Sequence, residues 1–124
     1  MTIKYFSIIS LLSIYMICFT SCVQKAYDQK ITLTIDVSNI DITIFKVGVR
    51  GNDQPMSWKQ DLPMKEIIKD SIYQVDFAIH TGYKFTEFKF VVNDDFELKD
   101  QANRKLYFED DQKTIYKAIF NSNN

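Results

Sequence analysis

Cysteine is absent from most of this chain. The two that occur, Cys18 and Cys22, both lie in the first segment, so the remainder can hold neither a disulfide framework nor a cysteine-based zinc site. The single histidine, His80, makes a histidine-rich metal site or a Ser-His-Asp triad hard to build, and we interpret it as a strand-end residue. Nucleotide-binding, metalloprotease and serine-hydrolase motifs are also missing. We therefore expect no enzymatic activity and no cofactor.

An excess of positive charge is lacking as well. The formal net charge is −1, and removal of residues 1–21 takes away only Lys4 and leaves −2. Nucleic acid is therefore not an expected partner, because no basic stripe is available to neutralise phosphates. The carboxylate pairs Asp94-Asp95 and Asp110-Asp111 could in principle hold calcium or act as acid and base. Both fall in predicted hairpin turns, where aspartate bonds locally to the backbone, so we interpret them as turn residues and expect no metal.

The first twenty-two residues are typical of an export signal. Lys4 gives a minimal positive start, and an apolar stretch follows that is shorter than the roughly 20 residues needed to span a bilayer as a helix. Phe19-Thr20-Ser21-Cys22 resembles a bacterial lipobox, whose cysteine is acylated and becomes the new N-terminus. We predict a signal peptide over residues 1–21, a lipidated Cys22 at a membrane outside the cytoplasm, and a polar tether over residues 22–30. An ordinary secretory signal is the alternative.

Alternation of apolar and polar residues predicts strands throughout residues 31–124. Ten Phe and seven Tyr suit strands that face a packed interior. No segment keeps a helical period, and Met64–Asp70 makes at most one helical turn. About seven short strands predict an all-β fold, an immunoglobulin-like antiparallel β-sandwich of Greek-key type. The predicted strands are Ile31–Asp36, Ile42–Val49, Ile72–Ile79, Phe85–Val92, Phe96–Leu98, Leu106–Phe108 and Thr114–Phe120, the last two paired through Asp110-Asp111.

Five short motifs lie within residues 47–120. They are Val49-Arg50-Gly51-Asn52, Pro55-Met56-Ser57-Trp58, Glu87-Phe88-Lys89-Phe90, Phe96-Glu97 and Asn103-Arg104. In that order and spacing the chain resembles the starch-binding domains of family 20 carbohydrate-binding modules. The resemblance implies a β-sandwich, which the periodicity predicts independently, and non-catalytic binding of an α-glucan such as starch or glycogen.

The resemblance also implies a role for individual side chains. Trp58 matches the tryptophan that forms one wall of a glucan site, and Phe96 stands where a second tryptophan is usual. Lys89, Glu97 and Asn103 match the groups that bond sugar hydroxyls. Two flat rings and a polar rim are what a sugar, with apolar faces and peripheral hydroxyls, requires. Since Ile72 stands where some members of the family carry the aromatic residue of a second site, we predict at most one site.

Each of these residues also has a structural interpretation. Trp58 could pack its loop onto the sandwich, Phe96 could belong to the core, and Lys89 could be a solvated surface lysine. An envelope protein-interaction or structural β-sandwich that has lost sugar binding is therefore the alternative function. Such a short lipoprotein is expected to work beside larger glycan-uptake or hydrolase components.

Overall fold

A computed structural model describes residues 25–123 of the chain, and within this range the chain forms nine strands and no helix. The predicted signal peptide and Cys22 lie outside the described residues. The strands are β1 Tyr27–Asp36, β2 Val47–Gly51, β3 Leu62–Pro63, β4 Lys65–Ile68, β5 Ile72–Thr81, β6 Phe85–Val92, β7 Asp95–Phe96, β8 Arg104–Tyr107 and β9 Lys113–Ile119. In the described part, no helix is long and apolar enough to cross a membrane.

The strands form two sheets. The first has the order β4-β5-β1-β9, and the second has the order β3-β2-β6-β7, with β8 also paired to β6. All pairings are antiparallel except that of β1 with β9, which is parallel. The all-β sandwich prediction is confirmed, and two of the nine strands contain only two residues.

Period-two alternation places the core between the sheets. On β1, Ile31, Leu33 and Ile35 are at most 2% exposed, while the threonines between them are half-buried. From the other sheet, Phe88 and Phe90 point inward and meet edge to face with ring centroids 5.4 Å apart. Burial of each such side chain contributes about 1.5–3 kcal/mol. The core is therefore built by residues that the alternation identified.

The predicted strand Ile42–Val49 is wrong in its first five residues, since β2 begins at Val47. One asparagine side chain binds the backbone of the preceding segment. Asn93 Oδ1 accepts hydrogen bonds from the backbone N–H groups of Phe45 and Lys46 at 2.7 and 3.2 Å, and its Nδ2 donates to the Thr43 carbonyl at 2.7 Å. The Phe45 side chain is 82% exposed. Side-chain capping replaces the strand ladder here.

Other boundaries also differ from the sequence prediction. The segment Met64–Asp70 contains the edge strand β4 rather than a helical turn. The first strand begins at Tyr27, so the end of the predicted tether belongs to the sheet. His80 lies near the end of β5, as interpreted, and is exposed beside Asp28 at 2.7 Å.

The predicted pairing of the last two strands is wrong. The chain passes from one sheet to the other after β8, so β8 pairs with β6 and β9 pairs with β1. The turn residues between them keep their predicted local role, since the Lys113 N–H donates to Asp111 Oδ1 at 3.1 Å. Local turn chemistry therefore does not determine whether a turn closes a hairpin or connects two sheets.

Candidate functional site

One face of the second sheet points away from the core. Three side chains from different strands lie on this outer face. Arg50 of β2 lies directly opposite Lys89 of β6, and Phe96 of β7 lies opposite Val91 of β6. Opposite residues in an antiparallel pair share a face, and so do residues two apart along a strand. The register therefore brings Arg50, Lys89 and Phe96 to one surface, with buried Val91 beneath them.

Trp58 reaches this surface from the loop between β2 and β3. Its indole Nε1 donates to Asn52 Oδ1 at 2.6 Å, which fixes the ring. The Trp58 and Phe96 ring centroids are 6.2 Å apart, and the ring planes are inclined at 46°. The Arg50 guanidinium lies 5.2 Å from the Phe96 centroid and is held by Asp61 at 2.6 Å. The predicted pair of aromatic residues is thus assembled from distant stretches of chain.

Around the two rings lies an open cleft of about 440 Å³. Trp58, Lys89, Phe96 and Asn103, four of the five sequence-predicted residues, line it together. Sequence reasoning missed the other lining residues, which are Asp94, Asp95, Lys99 and Asp100. The carboxylate pair next to Phe96 was the available signal, and it was interpreted only as a turn.

Lys89 organises the rim of the cleft. Its Nζ donates to the carbonyls of Leu98 and Gln101 at 3.0 and 2.9 Å. An ammonium carries three N–H donors, so one remains beyond these two bonds. The turn is strained, because Leu98 and Asp100 have φ values of 50° and 61°, and the left-handed region costs a leucine about 1–2 kcal/mol. Lys89, together with Asn121, whose Oδ1 accepts from the Leu98 N–H at 2.8 Å, holds this turn in place.

The prediction that Glu97 contacts a sugar is corrected by the structure. Its side chain is fully buried, and its Oε1 accepts from Arg104 Nε at 2.6 Å and from the Phe90 N–H at 3.1 Å. The backbone explains the orientation, because the Glu97 N–H donates to the Phe90 carbonyl and so continues the β6–β7 ladder opposite an inward-facing residue. Glu97 is a positioning residue beneath the cleft.

The partner of Glu97 ties the base of the cleft to the C-terminal segment. Arg104 Nη2 donates to Glu97 Oε2 and to the carbonyls of Ile119 and Ser122 at 2.8, 3.1 and 2.8 Å, and Nη1 donates to the Tyr116 hydroxyl at 3.2 Å. Desolvation lowers the pKa of Arg104, but the hydrogen bonds to Glu97 and Tyr116 raise it, and the net shift is upward. The guanidinium is therefore a permanent cation, and all three of its nitrogens donate hydrogen bonds.

One of the carboxylates around the cleft, Asp94, has a structural partner. Asp94 forms an exposed ion pair with Lys46 at 2.6 Å. Asp94, with a φ value of 68°, lies in the turn as interpreted, whereas Asp95 is not a turn residue but the first residue of β7. Throughout residues 25–123, no three or more His, Asp, Glu or Cys side chains group closely enough to hold a metal ion. What the arrangement offers chemically is two aromatic faces beside fixed donors and acceptors.

The fold resembles part of a glucoamylase. A structure titled "Glycoside Hydrolase Family 15 Glucoamylase from Hypocrea jecorina" superposes with a TM-score of 0.59 and 14% sequence identity, over 82% of this chain. The chain spans 18% of the length of that enzyme. The sequence matches no protein-family model and no curated protein sequence. At this identity the likeness concerns the fold, which is shared with a fraction of a carbohydrate-active enzyme.

Proposed function

We propose that the protein is a non-catalytic carbohydrate-binding lipoprotein that holds an α-glucan chain, of starch or glycogen type, in the cleft at Trp58. One observation carries the proposal. The rings of Trp58 and Phe96 converge with Lys89 and Asn103 in one open cleft, although Trp58 is distant from the other three in the sequence. The rings match the apolar C–H faces of sugars, and the ammonium and amide match the hydroxyl rim.

The geometry of the rings favours an α-linked chain. A β-1,4-linked glucan is a flat ribbon and suits coplanar platforms, whereas an α-1,4 linkage turns the chain between neighbouring sugars. Ring planes inclined at 46° suit the second arrangement, because each ring can meet one sugar face. The likeness of the fold to part of a glucoamylase agrees with a glucan ligand.

The expected affinity is modest. If the two rings cover on the order of 150 Å² of sugar at about 25 cal/mol/Å², the gross gain is roughly 4 kcal/mol, and ordering of the ligand offsets part of the hydrogen-bond contribution. The dissociation constant should therefore lie between about 1 mM and tens of micromolar.

A lipid anchor at Cys22 makes such affinity sufficient. We propose that acylated Cys22 holds the domain at a bacterial membrane outside the cytoplasm, where many copies engage one polysaccharide at once. Capture at that surface would supply glycan to larger uptake or hydrolytic components. The support for the anchor is the lipobox-like Phe19-Thr20-Ser21-Cys22 at the end of the apolar segment.

A fluorescence titration tests the binding proposal. Trp58 is the only tryptophan in the chain, so its emission reports on the cleft alone. The full chain, in a detergent without a sugar headgroup, should show saturable emission changes with maltoheptaose and none with cellohexaose. Unchanged emission up to about 10 mM maltoheptaose contradicts the proposal.

Calorimetry on variants separates binding from folding. Trp58→Ala should remove the heat of maltoheptaose binding and leave the domain folded, whereas Phe45→Ala, a truncation of an 82% exposed aromatic residue outside the cleft, should bind normally. The alternative, an interaction domain that has lost sugar binding, predicts instead that Trp58→Ala costs about 3–5 kcal/mol of stability and that no glucan protects the wild type.

A further inference from the structure

The outer face that carries the cleft continues to a second pair of aromatic rings. Phe85 of β6 lies directly opposite Tyr107 of β8, and their ring centroids are 5.6 Å apart at 42°. Tyr107 is 63% exposed and Phe85 is 39% exposed. Since Phe85 and Lys89 are four residues apart on β6, they share a face and are separated by about 13 Å. The pair therefore stands in line with the cleft.

The groups around this pair resemble those of the cleft in kind. Lys105 Nζ lies 5.4 Å from the Phe85 ring centroid and forms a cation–π contact with that ring, as Arg50 does with Phe96. Glu87 lies opposite Lys105, with Nζ and Oε1 3.9 Å apart, between the aromatic pair and Lys89. The outer face at the start of β6 therefore carries a second pair of rings, inclined nearly as the first pair is. Lys105 is a hydrogen-bond donor beside it, and Glu87 is an acceptor.

We propose that Tyr107 and Phe85 form a second platform on a continuous glucan track, so that one chain bound at Trp58 runs along β6 and stacks on Tyr107. The proposal rests on the function proposed above and adds a preference for long chains. With bonds near 1.5 Å, a pyranose unit advances a glucan by about 4 Å, so 13 Å corresponds to roughly three to four sugars. A trisaccharide fills the cleft alone, and longer chains reach both platforms.

The track sets a specific dependence on chain length. Covering one tyrosine face with a sugar, less the cost of ordering the chain, corresponds to about a five- to tenfold gain in affinity. Affinity should therefore rise by that factor between maltotriose and a linear maltodecaose and change little beyond it. A site confined to the cleft predicts no such rise.

Calorimetric titration of the full chain with both oligosaccharides tests the track. Tyr107→Ala should lose the five- to tenfold gain on maltodecaose and leave maltotriose binding unchanged, and Tyr107→Phe should retain the gain because it keeps the ring. Ile115→Ala, which truncates a 70% exposed side chain on β9 of the other sheet, is the matched control and should behave as wild type. Together these results support the track.

The contrary outcomes identify which idea fails. If maltotriose and maltodecaose bind the wild type equally, the track is wrong and the cleft stands. If neither binds, the function proposed for the cleft fails and the track fails with it. The track is also wrong if Tyr107→Ala weakens both ligands equally. Concentration-dependent dimers in the wild type that Tyr107→Ala abolishes would make this face a self-association surface and would likewise overturn the track.

Discussion

The buried ion pair beneath the cleft gives the sharpest test of the structure. Glu97→Gln keeps the size of the side chain and much of its hydrogen bonding but leaves the Arg104 charge without a counter-charge. The side chains of Arg104 and Glu97 are 4% and 0% exposed, so water cannot screen the loss. Removal of one partner from a buried pair costs about 3–5 kcal/mol. Because the amide still accepts hydrogen bonds, we expect the lower end, about 3 kcal/mol.

Urea denaturation followed by Trp58 fluorescence measures this loss. With a slope of about 1.5 kcal/mol/M for a domain of this size, the midpoint should fall by about 2 M. Where the Glu97→Gln protein remains folded, its affinity for maltoheptaose should decrease only through the loss of order in the turn that carries Lys99 and Asp100. The double variant Glu97→Leu/Arg104→Met should lose less free energy of unfolding than the two single variants lose together, by about 1–3 kcal/mol.

The neighbouring strand offers a matched control. Glu87→Gln makes the same chemical change in a partly exposed pair with Lys105, whose Nζ lies 3.9 Å from Oε1. It should cost less than about 1 kcal/mol. Equal effects of Glu87→Gln and Glu97→Gln would refute the reasoning. So would a fully stable Glu97→Gln that no longer binds sugar, because Glu97 would then contact the ligand directly.

Two further changes test the rim and the anchor. Lys89→Met removes the bonds to the carbonyls of Leu98 and Gln101 but keeps the apolar stem. It should lower stability by about 1.5–3 kcal/mol in urea and weaken maltoheptaose binding about tenfold by calorimetry, and an unchanged midpoint would show that the strained turn does not depend on Lys89. Cys22→Ser should move the protein from the membrane fraction to the soluble fraction and abolish metabolic labelling by a fatty acid, and a labelled Cys22→Ser protein would contradict lipidation there.

Much of the candidate site could be predicted from sequence because its residues occupy ordered positions in short motifs. Trp58, Lys89, Phe96 and Asn103 were placed together by motif resemblance, and the structure brings them to one cleft. The resemblance could not distinguish a group in the cleft from one beneath it. Glu97 follows Phe96 directly, so the alternation of a strand sends its side chain to the opposite face, toward Phe90 and the core.

The amino-acid sequence alone determined the all-β class and the residues of the inner faces, because period-two alternation is a local property of each strand, as on β1 and β6. Strand pairing was decided only by tertiary structure. Three contacts join residues far apart in sequence. They are the parallel pairing of β1 with β9, the hydrogen bonds from Asn93 to the segment before β2, and the pairing that places Tyr107 on the same face as the cleft. Such contacts depend on which strands and segments become neighbours within a sheet, which no local pattern encodes.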